Sequence, residues 1–270
     1  MLAAIRDGDA KELAELIRQD PDFNVNKDRS GDGNTLLHYA CHSDSGSAVI
    51  PLLLAHPGID VNLKDDNGYT AYFGAFYYGR TSCVREMLKD SRVKVNEPHS
   101  NGFTPLWFAA SYGQIDIIKW CIASGREMDL GTPGDDETDA IGAAKKRAFW
   151  YIDDLKTRKT EVETLLERFK SDATETRHAV RVELGWYDEA AAEMFALVVF
   201  VSDGLLRTKD TTIPTPAARF FSIAAQLPLE LQMVLCCRVM GSCKEIIPGK
   251  ESEVAFRELA TIYCLKSTSC

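Results

Sequence analysis

Apolar residues in the first part of the chain come in short blocks. "NTLLHYAC", "YTAYFGAF", "FTPLWFAA" and "ETDAIGAA" each begin near a threonine and run on to small residues about a turn later. Each is followed by a second block, "IPLLL", "VREML", "IKWCI" and "VETLL", with apolar positions at helical spacing. Thr35, Thr70, Thr104 and Thr138 recur at steps of 35, 34 and 34 residues, and Ala40, Ala75, Ala109 and Ala143 keep the same steps. A fixed period near 34 predicts stacked helix pairs, because a unit this small cannot bury its own apolar face.

Every column has a physical reason. Gly33, Gly68 and Gly102 (Asp136 in the fourth copy) precede the threonines, and glycine supplies the positive φ of a tight turn. The threonine hydroxyl caps a free amide of the first helical turn, and Pro105 suits the first helical position. The alanines allow close helix approach. Gly79 and Gly113 are expected to end first helices. Between copies, "FNVNK", "IDVNL" and "VKVNE" repeat one loop.

With "TLLHYA" around His38 and "TPLWFAA" around Trp107, the sequence resembles the ankyrin repeat family, whose signature is T-P-L-H-x-A. The resemblance covers residues 1–170. It consists of an N-terminal half-repeat ("AAIRDGDAKELAELI") plus four repeats, the last with about ten extra residues between Ala144 and Val162. It implies an all-α solenoid and a structural role for His38, bracing turns through backbone hydrogen bonds.

Residues 171–270 lose the period but still read as helices, with the longest apolar run, Ala190 to Val201, interrupted by Glu193. A stack ending on an apolar face needs a cover, so this region is expected to pack on the stack as a helical cap, with Leu231, Val234 and Leu235 facing inward. The segment beginning "AARFFSIAAQLPLELQ" resembles the C-terminal part of predicted fungal ankyrin-repeat proteins, which implies a fungal source and no activity. Leu227, Pro228, Glu230 and Leu231 also resemble the opening of an F-box. On that alternative the Leu227–Leu235 segment recruits a ubiquitin-ligase adaptor and the protein is a substrate receptor.

The net charge of −9 argues against a nucleic-acid partner. Eight cysteines without CxxC spacing read as reduced thiols, and "MLAAIRDGDAKELAELI" turns polar too soon for a leader. The expected compartment is the cytoplasm, with the nucleus as the alternative. No run is long enough to span a bilayer, so no membrane partner is expected. No metal or cofactor is expected, and no nucleotide-binding or hydrolase motif is present. Cys236, Cys237 and Cys243 read as structural. The basic group Lys145, Lys146, Arg147, Lys156, Arg158 and Lys159 reads as a solvated helix face.

What remains are the positions ankyrin repeats leave free: turn tips and the exposed side of the first helix. In copies two and three these are Asn67, Tyr69, Tyr77, Tyr78, Ser100, Asn101, Phe103, Ser111 and Tyr112. Aromatic side chains bury much area at little rotamer cost. The expected function is therefore a non-catalytic scaffold binding an unidentified protein on a concave aromatic strip. Packing of Tyr77 and Tyr78 against the next repeat is the competing explanation.

Overall fold

A computed structural model describes residues 1–20, 23–27, 31–131, 139–146, 153–206, 216–244 and 246–267. Among these residues there are fifteen α-helices and no strand; Lys64 and Thr70 form an isolated antiparallel bridge. The chain divides into two compact units, Met1–Val180 and Arg181–Cys270.

The first unit is a succession of helix pairs. They are α1 (Leu2–Asp7) with α2 (Ala10–Arg18), α3 (Leu36–Ala40) with α4 (Ile50–Ala55), and α5 (Ala71–Tyr77) with α6 (Thr81–Leu88). Next come α7 (Pro105–Ser111) with α8 (Ile115–Ser124), and α9 (Ala140–Lys145) with α10 (Asp153–Ser171). A 3-10 helix, Ser45–Val49, joins α3 to α4. The caps form where the threonine column placed them. Thr70 Oγ1 accepts from Phe73 N at 3.1 Å and Thr104 Oγ1 from Trp107 N at 3.2 Å, each satisfying an amide that the helix leaves open. Gly68 and Gly102 take φ of 83° and 81° in the turns before them.

The fourth copy departs by one residue. Thr138 lies outside the described residues, and the cap is Asp139, whose Oδ1 accepts from Gly142 N at 2.7 Å. A carboxylate at this position also meets the positive end of the helix dipole. Beyond it the first helix is short and the second runs for 19 residues.

Ala40, Ala75, Ala109, Ala143 and Ala144 are all buried, so the first helices pack closely. Larger side chains fill the space behind them: Leu36, Ile50, Leu53, Tyr72, Phe76, Met87, Ile117 and Ile122 are almost fully enclosed. Each such burial contributes about 1.5–3 kcal/mol.

The repeated asparagine of the loops joins neighbouring units. Asn26 Nδ2 donates to Gly58 O (2.8 Å) and its Oδ1 accepts from Asp60 N (2.9 Å). Asn62 does the same with Arg92 O and Lys94 N, both at 2.9 Å, and Asn96 with Glu127 O and Asp129 N at 2.9 and 3.1 Å. Each amide satisfies one carbonyl and one N–H of the next loop.

Helix α11 (Ala173–Glu183) begins within the first unit. Thr176 and Val180 are buried, and Arg177 Nε donates to Ile122 O at 3.2 Å. The second unit holds α12 (Trp186–Ser202), α13 (Pro216–Ala224), α14 (Leu229–Met240) and α15 (Gly249–Ser267). Ala191, Ala192, Phe195, Ala196 and Val198 of α12 meet Cys236 and Cys237 of α14 and Ala255 of α15 in one core. Lys244 Nζ lies 2.8 Å from Asp188 Oδ2, and Ser242 Oγ donates to Asp188 Oδ1 at 2.6 Å.

One expectation for α14 is corrected. Leu235 packs on this core and Val234 is half-buried, but Leu231 is exposed. The buried stripe of α14 passes through Gln232, Cys236 and Cys237, and Leu231 is turned away from it.

Candidate interaction face

The face begins at the turn before α3. Thr35 N donates to His38 Nδ1 at 3.2 Å, and Thr35 Oγ1 stands 2.9 Å from the same nitrogen. With Nδ1 accepting, the ring proton sits on Nε2, which donates to Tyr69 O at 3.1 Å, across to the next repeat. Burial holds this imidazole below the ordinary histidine range, against the upward pull of the Tyr69 carbonyl and of the Asp65 and Asp32 carboxylates. A neutral, doubly engaged ring is a brace and has no free nitrogen for proton transfer.

From this brace the aromatic residues form a continuous series. His42 meets Tyr78 (centroids 4.6 Å apart), Tyr78 meets Tyr77 (5.1 Å), Tyr77 stacks on Phe108 (5.4 Å) and Phe108 stacks on Tyr112 (4.6 Å). A branch leads from Tyr77 to Tyr69 (5.8 Å), then to His99 (5.1 Å), Phe103 (5.7 Å) and Trp107 (4.1 Å). Such pairs add about 0.5–1.5 kcal/mol beyond area burial. Yet Tyr77, Tyr78 and Tyr112 remain 51, 44 and 55 % exposed. Ring packing, against neighbouring repeats for Tyr77 and Tyr78 and within α7 for Tyr112, therefore coexists with access to solvent.

The five aromatic candidates, Tyr69, Tyr77, Tyr78, Phe103 and Tyr112, are brought together. The polar ones are dispersed around them. Asn67 is exposed beside Asp65, and its carbonyl accepts from Ser100 Oγ at 3.1 Å. Asn101 is exposed and its N–H donates to His99 Nδ1 at 3.2 Å, while Ser111 is half-buried at the end of α7. His42, His99 and Phe108 were not foreseen. Their signal was present in the register: His42 lies as far beyond Thr35 as Tyr77 lies beyond Thr70.

A cleft of about 480 Å³ opens on this face, lined by Asp32, Asp65, His42, Tyr69, Tyr77 and Tyr78 among others, with His38 and Gly74 also on its wall. Both carboxylates are held by backbone. Asp32 Oδ1 accepts from Asn34 N at 3.1 Å, and Asp65 Oδ1 accepts from Asn67 N and Tyr69 N at 3.0 and 2.8 Å.

Other reactive side chains are occupied elsewhere. Cys41, Cys83, Cys121, Cys236 and Cys237 are free, buried thiols, and burial pushes Cys121 and Cys236 up to about 12. At neutral pH Cys121 and Cys236 are protonated and poor nucleophiles. In the basic group, Lys145 pairs with Glu167 (2.8 Å), Lys159 is buried with Nζ donating to Lys146 O, and Arg158 pairs with Asp154. Arg147 lies outside the described residues. Among the described residues no cluster of three His, Cys, Asp or Glu could hold a metal ion. No described helix is long and apolar enough to cross a membrane.

Capped helix pairs, bracing histidine and loop amides define a repeat-built interaction module. Residues 1–97 and 46–132 match the family model "Ankyrin repeats (3 copies)", so this part of the chain consists of ankyrin repeats, a module that engages other proteins. A crystal structure of an ankyrin repeat protein, EF0377, superposes with a TM-score of 0.51 at 27 % identity, covering 62 % of this chain and 79 % of that one. The SMC5-SMC6 complex localization factor protein 1 of Homo sapiens is 32 % identical over 157 residues, 57 % of this chain and 14 % of that protein. "Probable E3 ubiquitin-protein ligase XBOS32" of Oryza sativa subsp. japonica is 29 % identical over 123 residues, 46 % of this chain and 24 % of that protein. The chain thus spans a minor part of these relatives' lengths.

Proposed function

We propose that the protein is a non-catalytic scaffold that binds a partner protein on the turn-tip and first-helix face of its second and third repeats. The observation that carries this reading is the ring series. Tyr77, Tyr78 and Tyr112 are half in water, yet Tyr78 and Tyr77 are held by His42 and Phe108 of neighbouring repeats and Tyr112 by Phe108 of its own helix. Anchors held in place before binding lose little freedom on binding, which is what interface hot spots require. The likeness to a protein named as a complex localization factor supports a role in engaging other proteins. The buried free thiols support the cytoplasm or nucleus as the working compartment.

The test is a pull-down from the native organism with the intact chain and with Tyr77→Ala/Tyr112→Ala, the proteins being identified by mass spectrometry. Loss of the same partner is expected from a variant that keeps the native circular dichroism, its melting temperature lowered only by the missing ring pairs. Retention of that partner by a destabilised variant would make these tyrosines packing residues.

A second reading, a ubiquitin-ligase substrate receptor, is favoured by one observation. Leu231 of the F-box-like opening is 52 % exposed and lies outside the second unit's core, as does the adjacent exposed Leu229. On that reading a ubiquitin-ligase adaptor co-purifies with the intact chain and is lost from Leu231→Ala.

A further inference from the structure

We infer that the cleft beside Gly74 receives a lysine or arginine side chain from a basic segment of the partner protein. This rests on the scaffold reading and assigns its partner a chemistry.

The walls supply what a cation needs. Tyr69, Tyr77 and Tyr78 line the opening, and a cation over an aromatic face is attracted by the ring quadrupole. Asp32 and Asp65 stand at the same opening, and Asp65 Oδ1 is fixed by two backbone amides, so that carboxylate is already oriented when a ligand arrives. Their field already acts in the cleft, because both raise the proton affinity of His38 and His42 against the effect of burial. Arg80, whose charge His42 also feels, does not line the cleft. It is held by Asp44 at 3.2 Å and by the His42 carbonyl at 3.0 Å.

The space itself is built by an unusual residue. Gly74 lies in the middle of α5, where glycine weakens a helix, and a Cβ there would meet no neighbouring atom within 4 Å. Packing does not demand the glycine, and its missing side chain keeps the cleft open. The volume of about 480 Å³ falls among those of ligand-binding clefts, roughly 300–1,000 Å³. An acidic chain of net charge −9 also steers a basic partner toward it.

The experiment uses the full chain and a fluorescein-labelled peptide of alternating glycine and lysine, followed by fluorescence anisotropy. Saturable binding is expected, and the same peptide with glutamate for lysine should not bind. Gly74→Met, which puts a side chain into the cleft, and Asp65→Asn, which keeps the acceptor for Asn67 and Tyr69, should each weaken binding by about tenfold or more. Asp116→Asn, the same charge change on exposed α8, should leave it within about twofold. Circular dichroism melts confirm that each variant is folded.

Absence of lysine-peptide binding, equal binding of the glutamate peptide, or equal losses in Asp116→Asn and Asp65→Asn would overturn the assignment. So would binding of lysine amide as tight as the peptide, which would make the cleft a small-cation site. If Tyr112→Ala still costs the chain its native partner while the lysine peptide fails, only the basic character of that partner falls and the scaffold stands.

Discussion

His38 links three things at once: the cap of α3, the carbonyl of Tyr69 and the wall of the cleft. Its neutral form is the one the fold uses, since Nδ1 must accept from Thr35 N. Its proton affinity in the fold is below the unfolded value of about 6.5. The stability contributed by this ring is therefore present above that value and lost as pH falls below it through the depressed native value. His42 and His56 are shifted the same way by burial and add to the same slope. Urea unfolding at pH 7.5 and 5.5 should show a loss of stability on acidification, and His38→Gln should reduce that loss. An unchanged pH dependence would mean that the brace does not titrate as described. Leu231 gives the opposite kind of prediction. Because it is exposed, Leu231→Ala should shift the unfolding free energy by no more than about 0.5 kcal/mol, far from the ~2–5 kcal/mol of a buried leucine.

Among the elements, the helix starts were legible because capping is local chemistry. A threonine before an apolar block can act only on the next few amides, and Thr70 and Thr104 do so. The fourth start, expected near Thr138, is capped by Asp139, whose Oδ1 accepts from Gly142 N. The repeated loop was legible as a repeat, but the bonds of Asn26, Asn62 and Asn96 join residues some 30 positions apart, and spacing alone does not show them. Asn62→Ala would leave Arg92 O and Lys94 N without their partner. A loss of about 1–3 kcal/mol in chemical denaturation is expected, with the helical circular dichroism of the native state retained. A change within error would show that water replaces the amide at no cost.

At the scale of the molecule, the aromatic strip was partly legible. Tyr77, Tyr78 and Tyr112 stand out at free positions, whereas the rings that join them, Phe108 and His99, were not singled out. Gly74 was invisible because empty space has no letter in a sequence. We propose that α11 helps to close the first unit, and its contacts support this: Arg177 Nε donates to Ile122 O of α8, and Thr176 and Val180 are buried. A chain cut after residue 170 should melt at lower temperature and less cooperatively than the full chain. A truncated chain that is soluble and equally cooperative would contradict the proposal.

The central claim is that the aromatic strip, and not the outer helices, meets the partner. The most direct measurement places a photoreactive phenylalanine at position 112 or at position 116 of the full chain and cross-links each in native extract. Tyr112 and Asp116 are both exposed, one on the strip and the other on α8. One discrete cross-linked partner is expected from position 112 and none from position 116. The reverse pattern, or equal capture from both, would contradict it.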